Sequence, residues 1–187
     1  MIEPILLDFE SRSRADLKAV GGRRYWEHAS TEALCCAWRN VAEGSKGVWF
    51  PGEPCPFPAK GVLAAHNWSG FDRFGAIKYG FCDAHHNGVD TAELARRAGL
   101  PGALDALGTR WLGLPKDKDA SRFTASLSQI RRPAGKNNPN AISAEEWRGL
   151  SDDERRVRGV QTEITTDVMG RVVPYCELDV EIIARGW

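Results

Sequence analysis

Five residues in three separated stretches carry side chains that could do chemistry together: Asp8 and Glu10, Asp72, and Tyr175 with Asp179. Asp8 and Glu10 end the run Pro4-Ile-Leu-Leu-Asp-Phe-Glu10, whose apolar start reads as a buried strand. On a strand an i, i+2 pair projects from one face with Cα atoms roughly 7 Å apart, and Phe9 points to the other. Two adjacent carboxylates repel each other and resist burial. They are tolerated where the strand end opens to water or where a cation sits between them. Tyr175 and Asp179 stand at i and i+4, so on a helix they share a face about one turn apart. Asp72 opens an expected helix, where the helix dipole favours an acid and capping is the simplest reading. Taken singly, each feature has an ordinary structural explanation.

Other chemistry-bearing residues are weaker. Cys82-Asp-Ala-His85-His86 offers ligand-type side chains close together but lacks the second pair that zinc sites show. Asp90 precedes a helix and reads as its cap. Cys176, beside Tyr175, is expected to face away from it. Trp68 lies in the loop before Asp72, where it could stack on a nucleobase. Trp26, Trp38 and Trp49 read as core or strand-face residues.

The elements that must position these groups follow from pattern. Residues 33–38 and 47–50 are apolar stretches separated by Glu-Gly-Ser-Lys, predicting a hairpin after the first strand. Residues 51–60 hold four prolines and must be loop or extended chain. A fourth strand is expected over 62–65, and helices over 71–79, 91–98 and 103–112. Residues 116–140 contain six basic residues (116, 118, 122, 131, 132 and 136) against two acids, and end in a turn-rich Lys-Asn-Asn-Pro-Asn. This is expected to be a mobile basic insertion, either a grip on a phosphate backbone or a solvated loop. Ser143-Ala-Glu-Glu146 and Ser151-Asp-Asp-Glu154 each announce a short helix. The last helix is expected from Pro174 to about Arg185, with proline in its first turn.

Composition sets the outer bounds. The chain has 187 residues, 42% of them hydrophobic and 27% charged, so one α/β domain over 1–187 is the economical reading. Lys and Arg total 25, as do Asp and Glu, which excludes a uniformly basic coat but not a local patch. No run is long and apolar enough for a transmembrane helix, so no membrane partner is expected. The N-terminus lacks the basic start of a signal peptide. Five cysteines without a CxxC pair fit reduced thiols in a cytoplasmic compartment.

In order, a strand-borne Asp-x-Glu, an Asn67-x-x-x-Phe-Asp72 after a strand, and a Tyr175-x-x-x-Asp179 on a terminal helix resemble the DEDD superfamily of 3′→5′ exonucleases, in its tyrosine branch. Longer stretches extend the likeness: Asp8-Phe-Glu-Ser-Arg-Ser, residues 25–35 (YWEHASTEALC), Ala65-His-Asn67, and Leu100-Pro-Gly-Ala-Leu-Asp-Ala-Leu-Gly108. They are similar to the proofreading domain of bacteriophage and bacterial family A DNA polymerases, over roughly residues 4–114 and 172–185.

The resemblance implies an RNase H-like (DnaQ-like exonuclease) fold: a mixed central sheet, its first three strands antiparallel, flanked by helices. It implies two Mg²⁺ or Mn²⁺ ions. Asp8, Glu10 and Asp179 would hold one, Asp8 would also reach the second, and Asp72 would bind through water. Tyr175 would orient the attacking water. Ser11 would contact the terminal nucleotide, with Asn67 and Phe71 lining the same groove. Phosphodiester hydrolysis suits such a set, because hard cations stabilise the attacking, leaving and non-bridging oxygens. The expected activity is removal of nucleoside 5′-monophosphates from single-stranded or frayed DNA 3′ ends, in a bacterial or phage-infected cell. Eight residues follow Asp179, so the chain is expected to be a stand-alone nuclease, proofreading in trans for a DNA polymerase, or an excised domain. Alternatives are a 3′→5′ exoribonuclease or oligonucleotidase on the same fold, and a catalytically silent nucleic-acid-binding or polymerase-docking module. Asp8→Ala and Asp179→Ala are expected to abolish cleavage and leave the fold intact.

Overall fold

The computed structural model of the chain describes residues 3–57, 61–135 and 138–187. Alternation along the first strand explains the architecture. In β1 (Ile5–Arg12), Ile5, Leu7 and Phe9 enter one apolar cluster while Leu6 enters another, so the strand is buried on both faces. β2 (Glu32–Asn40) and β3 (Lys46–Trp49) follow as antiparallel neighbours, and β4 (Leu63–Ala65) and β5 (Val89–Asp90) add in parallel. The result is an α/β protein with a mixed five-stranded sheet in the order β3-β2-β1-β4-β5.

β1 lies at the centre between β2 and β4, and β5 was not foreseen. Two residues of strand carry almost no periodic signal. The expected early strands are present, each with ends shifted by a residue or two.

Helices cover both faces. On the Phe9 side lie α1 (Leu17–Glu27) and α2 (Arg73–Lys78), with Trp26, Trp49 and Phe81 packed around Phe9 at ring-centroid separations of 5.4–6.3 Å. Helix α1 was not foreseen either. It is kinked at Gly21, where φ is +76°, and its glycines obscure any period. The expected helix over 103–112 is α4 (Leu104–Leu107) running into a π-helical turn, Gly108–Leu112; α3 spans Thr91–Arg97. Within the segment expected to be a mobile basic insertion lies α5 (Lys118–Leu127). Asp117 caps it, accepting from the amides of Asp119 and Ala120, and Ala120, Thr124 and Leu127 form its buried stripe. Lys136 and Asn137 of that segment, and Lys60 of the proline-rich loop, lie outside the described residues. Ser143 and Ser151 cap α6 (Ala144–Gly149) and α7 (Asp152–Arg158), the second with a complete capping box.

The last helix, α8, spans Thr166–Gly186 and packs against β1 and β2. It begins eight residues before Pro174, capped by Thr165, so the proline is interior rather than in the first turn. An interior proline forfeits one hydrogen bond and typically costs about 3 kcal/mol. Here its ring is on the exposed side, and the residue four back, whose carbonyl it crowds, is the exposed Gly170. The apolar stripe of α8 offsets the break.

Candidate metal centre

β1's alternation carries past the core. Leu6, Asp8 and Glu10 share one face, and that face meets α8. On α8 the buried residues Val172, Tyr175, Cys176, Asp179, Val180 and Ile183 repeat at three- and four-residue steps, a single stripe. Strand and helix therefore deliver acids to one place. Asp72 arrives by a third route, through a π-helical turn (Trp68–Asp72) that follows β4. Its Oδ1 accepts a hydrogen bond from the Phe9 amide at 3.1 Å, which fastens the turn to β1. Asp72 is 2% exposed and makes no capping bond, so capping is not its role.

The tightest group of potential ligand atoms among the described residues is Asp8, Glu10 and Cys176, all within 4.8 Å of one another. The thiol of Cys176 points at Asp8, 3.2 Å from its carbonyl oxygen and 3.6 Å from Oδ2. This corrects the expectation that Cys176 faces away. Residues 100° apart on a helix both belong to a buried stripe of that width, and the spacing 172, 175/176, 179/180, 183 already placed it there. Asp179, expected as a ligand beside Asp8 and Glu10, is not part of this three-residue group. Asp179 Oδ2 instead receives Lys116 Nζ at 2.6 Å, while its buried Oδ1 has no partner among the described residues. Lys116 Nζ also lies 4.8 Å from the Tyr175 ring centroid.

The electrostatics are those of too many acids in too little water. Burial, then the Asp179 carboxylate, pushes Asp8 from 3.8 up to about 7. Burial raises Glu10 and Asp72 well above the usual carboxylate range, with Asp8 adding to both. Burial also raises Asp179, and Lys116 only partly offsets it. For Lys116, burial opposes the charge but the Asp179 carboxylate outweighs it, so its pKa goes up. One internal ammonium thus stands against four crowded carboxylates. A divalent cation fits this set: the donors are oxygen-rich, a buried carboxylate oxygen is unpartnered, and added positive charge relieves the repulsion.

Beside the acids opens a cleft of about 690 Å³, its near end lined by Glu10, Ser11 and Tyr175 and its flank by Tyr25 and Phe71. The Tyr175 hydroxyl lies 3.4 Å from Ser121 Oγ, and Ser11 Oγ lies 3.2 Å from the Tyr25 hydroxyl. Ser11 and Phe71 thus join the site. Asn67 does not: it is exposed, takes up φ of +97°, and is not part of the cleft lining. Trp68 is 3% exposed, which removes it as a stacking platform. Asp90 is a cap, accepting from Ala92 and Glu93 amides. Cys82, Asp83, His85 and His86 form no metal-competent group among the described residues.

In the basic segment Lys116 pairs with Asp179 and Arg132 donates to the Ile142 carbonyl, while Arg122 makes only an exposed pair with Asp119. The cations in the cleft are Arg14, Lys18 and Arg156, none of which the sequence singled out. Arg156 lies on the charged helix α7, whose place against the end of β1 is set by tertiary contacts alone. No helix of the described residues is long and apolar enough to cross a membrane. No family model, curated protein or solved structure matches the chain.

Proposed function

We propose that the chain is a divalent-cation-dependent phosphodiesterase with an RNase H-like fold. Within that class we assign it as a 3′→5′ exonuclease that shortens single strands, DNA first, releasing nucleoside 5′-monophosphates. The observation that carries this reading is the convergence of Asp8, Glu10, Asp72 and Asp179 from three distant parts of the chain. They meet next to an open cleft, with a buried carboxylate oxygen of Asp179 unpartnered. The order of the motifs, resembling the tyrosine branch of the DEDD exonucleases, supplies the direction of cleavage.

Asp8, Glu10 and Asp179 would hold the cations, with Asp72 behind Asp8. Bound there, two Mg²⁺ or Mn²⁺ ions would lower the pKa of a water and neutralise charge on the leaving 3′-oxygen. Tyr175 is a poor base, because burial and then Asp179 push its phenol above the ordinary value of 10. It keeps its proton at neutral pH, so its hydroxyl orients a water rather than deprotonating it. Lys116 balances one carboxylate and holds the Tyr175 ring in place. Ser11 and Phe71 stand where the terminal nucleotide would enter, and the Cys176 thiol holds Asp8.

The test is product identity. An unlabelled single strand incubated with the protein and Mg²⁺ should yield nucleoside 5′-monophosphates by chromatography. Nucleoside 3′-monophosphates, or an intact strand, would overturn the assignment.

A further inference from the structure

The far end of the cleft has a different chemistry from the carboxylate end. Arg14, Lys18 and Arg156 line it, together with the apolar Leu17 and Ile130. The one acid there, Asp16, is engaged as the cap of α1, accepting from the Lys18 amide at 2.9 Å. The wall that carries Arg156 is fastened across the end of β1. The Arg14 guanidinium donates to the Arg156 carbonyl and, at 3.3 Å, to that of Val157. Gln161 Nε2 donates to the carbonyls of Ser13 at 3.0 Å and Ser128 at 3.3 Å. Among the described residues the Arg156 side chain pairs only with Asp153, at 3.3 Å, and that carboxylate is 91% exposed. Such a pair is weak and leaves the guanidinium open to another anion. In the cleft wall, Thr124 Oγ1 is buried without a partner among the described residues.

We propose that Arg14, Lys18 and Arg156 form a phosphate-binding track for single-stranded nucleic acid, gripping the strand upstream of its 3′ end. The inference rests on the proposed function, which sets which end of the cleft holds the bond to be cleaved. Phosphates meet the three cations, while Phe71 and the exposed Leu17 offer apolar surface to the bases. Such a grip, away from the cleaved bond, would make the protein select strands over dinucleotides.

The experiment measures anisotropy of fluorescein-labelled dT12 and U12 in chelator, so that nothing is cleaved, across a salt series. The doubly substituted Lys18→Ala, Arg156→Ala protein is expected to bind about tenfold more weakly. Its slope of log K against log salt should be shallower by about 1.4, or about 0.7 per lost contact. Both side chains are surface groups, and an unchanged melting curve checks the fold. Asp153→Asn, which frees Arg156, should tighten binding. Unchanged affinity and slope in the double variant, no gain from Asp153→Asn, or equal binding of a poly-glutamate of matched charge would each overturn the track. Wild-type cleavage of the same strands in Mg²⁺ reports on the proposed function separately. Cleavage with unaltered variant binding removes the track alone, and a wild type that neither binds nor cleaves removes both.

Discussion

Lys116 divides the four acids into two kinds. Asp8, Glu10 and Asp72 have no cationic side chain bonded to them among the described residues, whereas Asp179 holds Lys116 Nζ at 2.6 Å. Deleting like charge should therefore be harmless at Asp8 and harmful at Asp179, where it strands a mostly buried ammonium. Thermal melts in chelator should show Asp8→Ala at or above wild type and Asp179→Ala clearly below it; the reverse order would contradict the pairing. This revises the expectation that both substitutions leave the fold equally intact. Tyr175→Phe removes only the hydroxyl, keeping the ring beneath Lys116. Cleavage should slow about 100-fold, the scale of a misplaced reacting group, while the rise in melting temperature on adding Mn²⁺ persists. Full activity in that variant would remove Tyr175 from the reaction.

Elements differ in how openly the sequence announces them. β1 and α8 are legible because burial imposes a period: two-residue alternation puts Leu6, Asp8 and Glu10 on one face, and the 172–183 stripe collects Tyr175 and Asp179. The same stripe contains Cys176, which a residue-by-residue reading of the helix misplaced. Less visible are elements held by close approach. Helix α1 lies against the turn that carries Asp72, so closely that a Cβ on Gly22 would sit 1.9 Å from the Gly70 carbonyl oxygen. Helix propensity alone makes Gly22→Ala favourable by about 1 kcal/mol. The contact makes it unfavourable, by about 1–3 kcal/mol, because a backbone carbonyl must move. Urea melts decide the sign, and a stabilised Gly22→Ala would show that α1 does not support the turn. The π-helical turn itself and the short β5 are likewise products of tertiary packing. Arg14, Lys18 and Arg156 escaped notice for the same reason, since nothing local links them.

At the scale of the whole molecule, the crowded acids cost stability that a bound cation would return. Asp8 is held at about 7 against an ordinary 3.8, facing Asp179, Lys116 and the Cys176 thiol, with Glu10 beside it. A raised acid favours the folded state below its unfolded pKa and loses that advantage as pH rises to the folded value. Between about pH 4 and 7, this group makes the metal-free protein progressively less stable. Melting temperature in chelator should fall across that window, and Mg²⁺ or Mn²⁺ should raise it more at pH 8 than at pH 5. A cation effect independent of pH would place the ion elsewhere. Other groups shape the full curve, so Asp8→Asn is the control that should flatten this part of it. The most direct test of the whole account uses two single strands of matched sequence, one DNA and one RNA, each labelled at the 5′ end. They are incubated with the protein in Mg²⁺ or Mn²⁺, in chelator, and with Asp8→Ala protein. The expected result is a ladder that shortens from the 3′ end, needs the metal and vanishes in the variant, with DNA the faster strand. Intact strands under every condition, or a ladder that survives chelator or the loss of Asp8, would contradict it.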